Sequence, residues 1–417
     1  MNGSLRILML LPQLGYGGAE SSFQRLADFL GNHSSLTIGL MSTQYGSADY
    51  SNDHRSVSHR LVLLDETGSK GGGLIGKVIR WRRMLRRLRA LKSEHDITIS
   101  FLSGPNLLNA LSGMPLRTIV SERGSKLYHR GIPRLRRLLW LSILDPITYR
   151  RAGKIVPASI GYSREIAQIG GAIIRSKIVP IEGGIDSEDL LSAADEPPDS
   201  DIVRFCQRPT AVYSGRLDVG KGIDLLLPAF AKVRSIVPES RLLLIGDGPQ
   251  KNKIIAICQS LGVSVTTTGD PESAVFVAGY RAKPIRHFRH CNVFVFPSLH
   301  EGLGNSLIEG VASGIPVIAS DCCWGPRSIL SGGTLQYEGP DPELPSLLRH
   351  GILMPLPDTA KALQVWTDQI ASALSQVPRP RPSRADRLVA IARYDIAQTG
   401  PRWLELARGM AQEAGRR

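Results

Sequence analysis

Short, continuous apolar runs recur along the chain, each closed by Gly, Pro or Ser. In the first half they fall at Ile7–Leu11, Leu36–Leu40, Leu61–Leu64, Ile97–Phe101, Thr118–Val120 and Lys154–Val156. In the second half they fall at Thr210–Val212, Leu242–Ile245, Val275–Ala278, Val293–Phe296 and Ile315–Ala319. Runs of this length without polar alternation suit parallel strands buried on both faces. Longer stretches with helical spacing separate most of them. Strand and helix signals in alternation predict two doubly wound α/β domains in series. The polar, proline-bearing stretch Ala193–Arg208 puts their boundary near 186–205. The expected domains are therefore 1–185 and 186–383. A proline-rich break, VPRPRPS at 377–383, closes the second, and a helical segment 384–417 follows. The Gly- and Pro-rich stretch Ser331–Leu348 reads as an irregular loop.

A chain of 417 residues is long enough for two domains that each bury a core. Its longest apolar stretches, such as Leu138–Leu144, are too short for a bilayer-spanning helix. The start, MNGSLRILMLLPQ, runs straight into a glycine-rich turn and reads as a first strand, not a secretory signal. Cys206, Cys258, Cys291, Cys322 and Cys323 are odd in number and form no C-x-x-C pair. That usage predicts a reducing cytoplasm and argues against disulfides and zinc. The adjacent Cys322 and Cys323 read as small-residue packing after a strand.

Charge changes the picture, because it is lopsided. Residues 1–185 hold 26 Lys and Arg against 12 Asp and Glu, whereas 186–417 hold 25 against 25. The whole excess of +14 thus belongs to the first half, which predicts an anionic partner for that half alone. Between Val78 and Lys92, Val78, Trp81, Met84, Leu85, Leu88 and Leu91 follow helical spacing. Arg80, Arg82, Arg83, Arg86, Arg87, Arg89 and Lys92 fill the other positions. The stripe predicts a helix docked on its sheet, and the cations a face for anionic lipid. PRLRRLLW at 133–140, with Arg150, Arg151 and Lys154, forms a second basic cluster. No motif for RNA or DNA accompanies this charge, so nucleic acid is not an expected partner.

The most informative ten residues are EGLGNSLIEG, 301–310. Glu301 and Glu309 stand eight positions apart, after one strand signal and before another. That order puts Glu301 at the carboxyl end of a strand and Glu309 about one turn into a helix. Ligands of open α/β sheets bind at that edge, and a helix start there favours phosphate. Two carboxylates bracketing Gly302 and Gly304 suit a polyhydroxylated nucleotide ligand. In SGRLDVGKG at 214–222, Arg216 and Lys221 offer a planar fork of donors and a compact charge, a pairing suited to a diphosphate at the mouth of a cleft. YGGAE at 16–20 opens a helix, and Gly17 and Gly18 let backbone approach a ligand. IGDGP at 245–249 is a strand-end turn that would bring backbone near a base or sugar. Neither a Walker loop nor G-x-G-x-x-G is present at these turns.

Together these segments resemble glycosyltransferase family 4, the retaining nucleotide-sugar enzymes of GT-B fold, in the branch serving bacterial polysaccharide or lipid-linked oligosaccharide biosynthesis. The resemblance is strongest from Gly215 to Asp358 and reaches back to Gly17 and Gly18. It implies two Rossmann-like domains facing a cleft, with a C-terminal helix crossing back to the first domain. It implies catalytic roles for Glu301, Arg216 and Lys221. The first Glu is associated with the transferred sugar, the pair of cations with the diphosphate, and Glu309 with the ribose. Gly17, Gly18, Gly215, Gly246, Gly302, Leu303, Gly304 and Asn305 complete the implied donor site. SDCCWGPR at 320–327 and GILMPLPD at 351–358 are also similar to family segments. The chain departs from the family twice. Glu182-Gly183-Gly184-Ile185-Asp186 replaces a Pro-Asn-Gly hinge, and Ser121-Glu122-Arg123 stands where many members carry a His that touches the donor sugar.

The expectation is a retaining glycosyltransferase that moves a sugar from a nucleotide-diphosphate sugar, UDP first, to a lipid-linked or polysaccharide acceptor. It needs no cofactor and no metal, and works in the cytoplasm at the inner face of the membrane. An epimerase of the same architecture and a non-catalytic sugar-nucleotide or glycan-binding scaffold are the alternatives.

Overall fold

A computed structural model describes residues 4–15, 17–41, 60–65, 73–341, 343–377 and 380–416. Tyr16 of the first glycine turn, and Pro378 and Arg379 of the proline-rich break, lie outside the described residues. The chain divides into two units. One comprises 1–127, 133–185 and 393–417, the other 128–132 and 186–392.

The first unit carries a sheet of six parallel strands: β1 (Arg6–Leu11), β2 (Ser35–Leu40), β3 (Arg60–Leu63), β4 (Ile97–Phe101), β5 (Thr118–Glu122) and β6 (Lys154–Pro157). Their order is β3-β2-β1-β4-β5-β6, the doubly wound arrangement with its switch point between β1 and β4. Successive residues of β1 serve opposite faces, as a pleated strand requires. Ile7, Met9 and Leu11 pack with Phe23, Leu26 and Leu30 of the helix Gly18–Gly31 and with Trp403 and Leu404 of the C-terminal helix Ile396–Arg416. Leu8 and Leu10 pack on the other side with Met84, Leu88 and Leu91 of the helix Leu74–Ser93.

That last helix corrects part of the sequence reading. Lys92 is buried and belongs to no surface. Its ammonium donates to Asn109 Oδ1 at 3.0 Å, Gly113 O at 2.8 Å and Thr118 Oγ1 at 2.7 Å, and burial, then Arg117, pulls it down to about 7. Arg80 is committed to buried Asp65 at 2.6 Å. The basic face of this helix is therefore carried by Arg82, Arg83, Arg86, Arg87 and Arg89. Among its apolar positions, Val78 is half exposed.

The second unit carries β7 (Thr210–Ser214), β8 (Arg241–Ile245), β9 (Val265–Thr266), β10 (Val275–Gly279), β11 (Val293–Phe296), β12 (Val317–Ser320), β13 (Ser346–Leu348) and β14 (Gly351–Met354). The order is β13-β14-β12-β11-β7-β8-β10-β9, parallel except for β13 against β14. The chain winds outward from β7 through β8 in one direction and from β11 through β12 in the other. The switch point lies between β7 and β11. The stretch 331–348 is not wholly irregular: its last three residues are β13. Helix Arg384–Ile391 begins at a capping box on Ser383 and Asp386 and stays with this unit. At the hinge, buried Glu182 accepts from Ile160 N–H at 3.0 Å and pairs with Arg393 at 2.6 Å, both within the first unit.

Candidate active site

The site is built from the loops that leave the carboxyl ends of β7, β11 and β12. Past β7, the Leu217 N–H donates to Asp247 O, and Asp218 Oδ1 accepts from Gly220 N–H at 2.9 Å, folding Val219–Lys221 into a tight turn. Gly222 closes that turn with φ +65, and a Cβ there would stand 2.2 Å from Pro297 O. Only glycine satisfies both demands. The turn is thereby laid on the loop after β11, where the Leu299 N–H donates to Gly220 O at 2.8 Å. The Glu301 N–H in turn donates to Cys323 O at 2.7 Å, lacing in the loop after β12. Two more glycines permit this approach. A Cβ on Gly246 would lie 1.9 Å from Gly215 O, and one on Gly325 only 1.5 Å from Leu303 O.

The outcome is one direct pairing: Lys221 Nζ stands 2.6 Å from Glu301 Oε1. Both side chains are largely shielded, at 22% and 10% exposure. Burial works against the Lys221 charge, but the adjoining carboxylate outweighs it and holds the ammonium above its ordinary range. One of three ammonium donors is engaged by Glu301, leaving a compact cation suited to an anionic ligand. His300, next in line, is pushed down to about 3 by burial, then by His129, Lys221 and Arg130, and is neutral at physiological pH. Burial raises the Cys322 thiol, and Glu301 raises it further. This cysteine is packing, not a nucleophile.

The helix after Glu301 spans Asn305–Ser313 between Gly304 and Gly314, both with positive φ. Gly310 lets it lie close on the sheet, since a Cβ there would meet Phe294 at 2.6 Å. Glu309, its fifth residue, is half-buried; Asn305 opens it, and Gly302, Leu303 and Gly304 are buried in the turn before it. Arg216 differs from Lys221. Its side chain is 64% exposed, with Asp218 3.8 Å away, so it is not drawn into the Lys221–Glu301 pair. Gly17 and Gly18 lie on the first unit, at the start of the helix after β1.

Asp218, the cap that shapes the Lys221 turn, escaped the sequence reading, although an Asp two residues before a glycine is a turn signal. The Asp321–Arg327 ion pair after β12 was also missed as a pair. Arg327 further donates to Gly339 O at 3.2 Å.

Solved structures place this fold. The Anabaena protein Alr3699/HepE, crystallised with UDP and glucose, superposes with a TM-score of 0.68 over 97% of this chain and 100% of its own, at 16% identity. WaaG, a glycosyltransferase involved in lipopolysaccharide biosynthesis, superposes at 0.60 over 98% and 99%, at 14% identity. The chain shares the two-unit GT-B fold of these glycosyltransferases. Residues 208–364, which contain all of the loops just described, match the family model described as Glycosyl transferases group 1. An uncharacterized glycosyltransferase of Methanocaldococcus jannaschii is 34% identical over 37% of this chain and 36% of its own length. The Campylobacter jejuni N-acetylgalactosamine-N,N'-diacetylbacillosaminyl-diphospho-undecaprenol 4-alpha-N-acetylgalactosaminyltransferase is 28% identical over 56% and 60%. The chain thus spans between about a third and three fifths of the length of the first curated relatives it matches.

Proposed function

We propose that this chain transfers a sugar, with retention of anomeric configuration, from a nucleotide-diphosphate sugar to a lipid-linked or polysaccharide acceptor. The observation that carries the reading is the shielded Lys221–Glu301 pair at the switch point of the second unit. Lys221, Arg216 and the N–H groups around Gly302–Asn305 take the diphosphate as it leaves, since fixed charge aimed at a developing anion is a large catalytic effect. Glu301 attends the transferred sugar and Glu309 the ribose. UDP is our choice of nucleotide, in keeping with the Anabaena neighbour. A GDP-mannose:cellobiosyl-diphosphopolyprenol alpha-mannosyltransferase among the relatives makes GDP-mannose the comparator. The test is release of nucleoside diphosphate from a panel of donors, with and without a prenyl-diphosphate-linked sugar. Acceptor-dependent release supports transfer. Conversion of donor alone points to an epimerase, and binding without turnover to a scaffold.

The two glutamates are expected to separate in kinetics. Glu309→Ala should weaken nucleotide binding, whereas Glu301→Gln should chiefly lower kcat. An interaction made only in the transition state lowers turnover without a matching loss of affinity. Equal losses of nucleotide affinity in the two variants would contradict this division.

The acceptor end of the reading is a peripheral membrane protein. On the first unit, Leu135, Leu138, Leu139 and Ile143 share one helical face by spacing, and all stand exposed, Leu135 at 83%. Arg134, Arg136 and Arg137 interleave them. Ile75, Val78 and Ile79 are similarly exposed beside Arg82 and Arg83. No helix among the described residues is long and apolar enough to cross a membrane. An apolar stripe flanked by cations suits the interface of an anionic bilayer, where each cation adds about 1 kcal/mol. Flotation with vesicles containing phosphatidylglycerol should show binding that falls as salt rises. Replacing Arg82, Arg83, Arg86 and Arg87 with Gln, or Leu135 and Leu138 with Ser, should weaken it at least tenfold and spare turnover on a soluble acceptor analogue. Wild-type protein that stays at the bottom of the gradient at low salt sinks the membrane reading.

A further inference from the structure

Arg123 follows the last residue of β5, at the carboxyl edge of the first unit's sheet. Its guanidinium carbon lies 4.4 Å from the centre of the Phe101 ring, over the ring, and 5.8 Å from that of Trp403. Those two rings are themselves stacked, with centres 5.9 Å apart, and both are buried. Aromatic rings attract a cation, but they offer no oxygen to its N–H donors. Among the described residues Arg123 makes no hydrogen bond and no ion pair, and its buried Nε has no partner.

The buried carboxylates Glu122, Asp145 and Glu165 of this unit have other partners. Glu122 takes the Lys126 ammonium at 3.3 Å and the Asn106 amide at 3.1 Å. Asp145 takes Lys126 at 2.8 Å. Glu165 accepts the N–H groups of Lys126 and Leu127, each at 3.1 Å. Burial lowers the Arg123 guanidinium to about 9, which still leaves it charged at neutral pH. A half-buried cation with no counter-ion costs stability, and groups left in that condition gather where a ligand supplies the missing charge. The carboxyl edge of a doubly wound sheet is where ligands bind.

We propose that Arg123 receives a phosphate oxyanion of a substrate, through in-plane N–H donors on a guanidinium held by Phe101 and Trp403. The fork of an arginine matches two phosphate oxygens at once, which a lysine does not. The inference rests on the glycosyl-transfer reading for the choice of substrates. It is measured by binding, so it stands or falls separately from turnover. The phosphate belongs either to a lipid-linked acceptor or to the nucleotide donor. Two probes separate these sources: a short-chain prenyl diphosphate and UDP.

Titration calorimetry on the full chain should show that Arg123→Gln loses about 10- to 100-fold in affinity for one of the two probes. Arg123→Lys should retain part of it. Loss confined to prenyl diphosphate assigns the acceptor, and loss confined to UDP assigns the donor. In the absence of ligand, Arg123→Gln should melt at the wild-type temperature or above, because it removes an uncompensated charge. Wild-type affinity for both probes overturns the proposal. So does a lower melting temperature in Arg123→Gln with equal loss of affinity in the Lys variant, which would make Arg123 a packing residue only.

Discussion

Lys221→Ala should weaken UDP binding by about 1.5–3 kcal/mol, the worth of a charge-assisted hydrogen bond, and should cost turnover more. The added loss, on the order of 100-fold, arises because charge on the diphosphate grows as the sugar departs. The structure adds a second consequence. Glu301 is 10% exposed and its carboxylate rests 2.6 Å from the ammonium, so removing Lys221 alone leaves a shielded anion without its counter-ion. The single variant should therefore melt lower than wild type. Adding Glu301→Gln should recover much of the lost melting temperature and none of the activity, the behaviour of a coupled pair in a double-mutant cycle. Arg216→Ala, removing a side chain that is 64% exposed, should leave the melting temperature unchanged and weaken UDP binding. Wild-type affinity in Lys221→Ala, read by titration calorimetry, removes the diphosphate assignment.

Gly325→Ala should be a severely damaging single-methyl change in the second unit. Its φ of −87 suits any residue, so the cost is steric and not conformational. A Cβ would stand 1.5 Å from Leu303 O, and the neighbour is backbone that cannot rotate away. The loop Glu301–Asn305 must shift, disturbing the Glu301 N–H bond to Cys323 O and the position of the Glu301 carboxylate. We expect a loss of about 3 kcal/mol or more, seen as a fall of roughly 6–12 °C in the melting temperature of a unit this size, together with reduced turnover. Gly409→Ala provides the contrast. It sits in the C-terminal helix with nothing within 4 Å of its would-be Cβ, and alanine there should stabilise by up to about 1 kcal/mol. A Gly325→Ala protein that melts with wild type would show that the loop has room this geometry denies it.

What could be read along the chain was local and periodic. All eleven apolar runs form strands, and in all but the edge strand β3, where Leu61 is 53% exposed, the cause is burial on both faces, which needs an uninterrupted apolar run and little else. The strands that escaped notice were β9, β13 and β14. β9 has only two residues, and β13 is a partly exposed edge strand with Leu347 at 82% exposure, so neither leaves a long apolar trace. The turn after β11 and its helix were legible from the Gly-rich spacing between Glu301 and Glu309.

The sequence by itself thus determined two doubly wound units, the identity of the loops at their carboxyl edges, and the basic character of the first half. Tertiary structure alone decided which of those charges are free to act. A lysine on an amphipathic helix looks like surface, yet Lys92 is buried because its acceptors come from residues 109–118, on neighbouring elements. Arg216 and Lys221 look equivalent in one short motif, yet Arg216 stays exposed beside Asp218 of its own loop, whereas Lys221 meets the Glu301 carboxylate, 80 residues away in sequence. Contacts over such separations depend on strand order and on how close two backbones approach. No local pattern encodes either of these. Here glycines that face backbone carbonyls set that approach, and through it the place of Glu301.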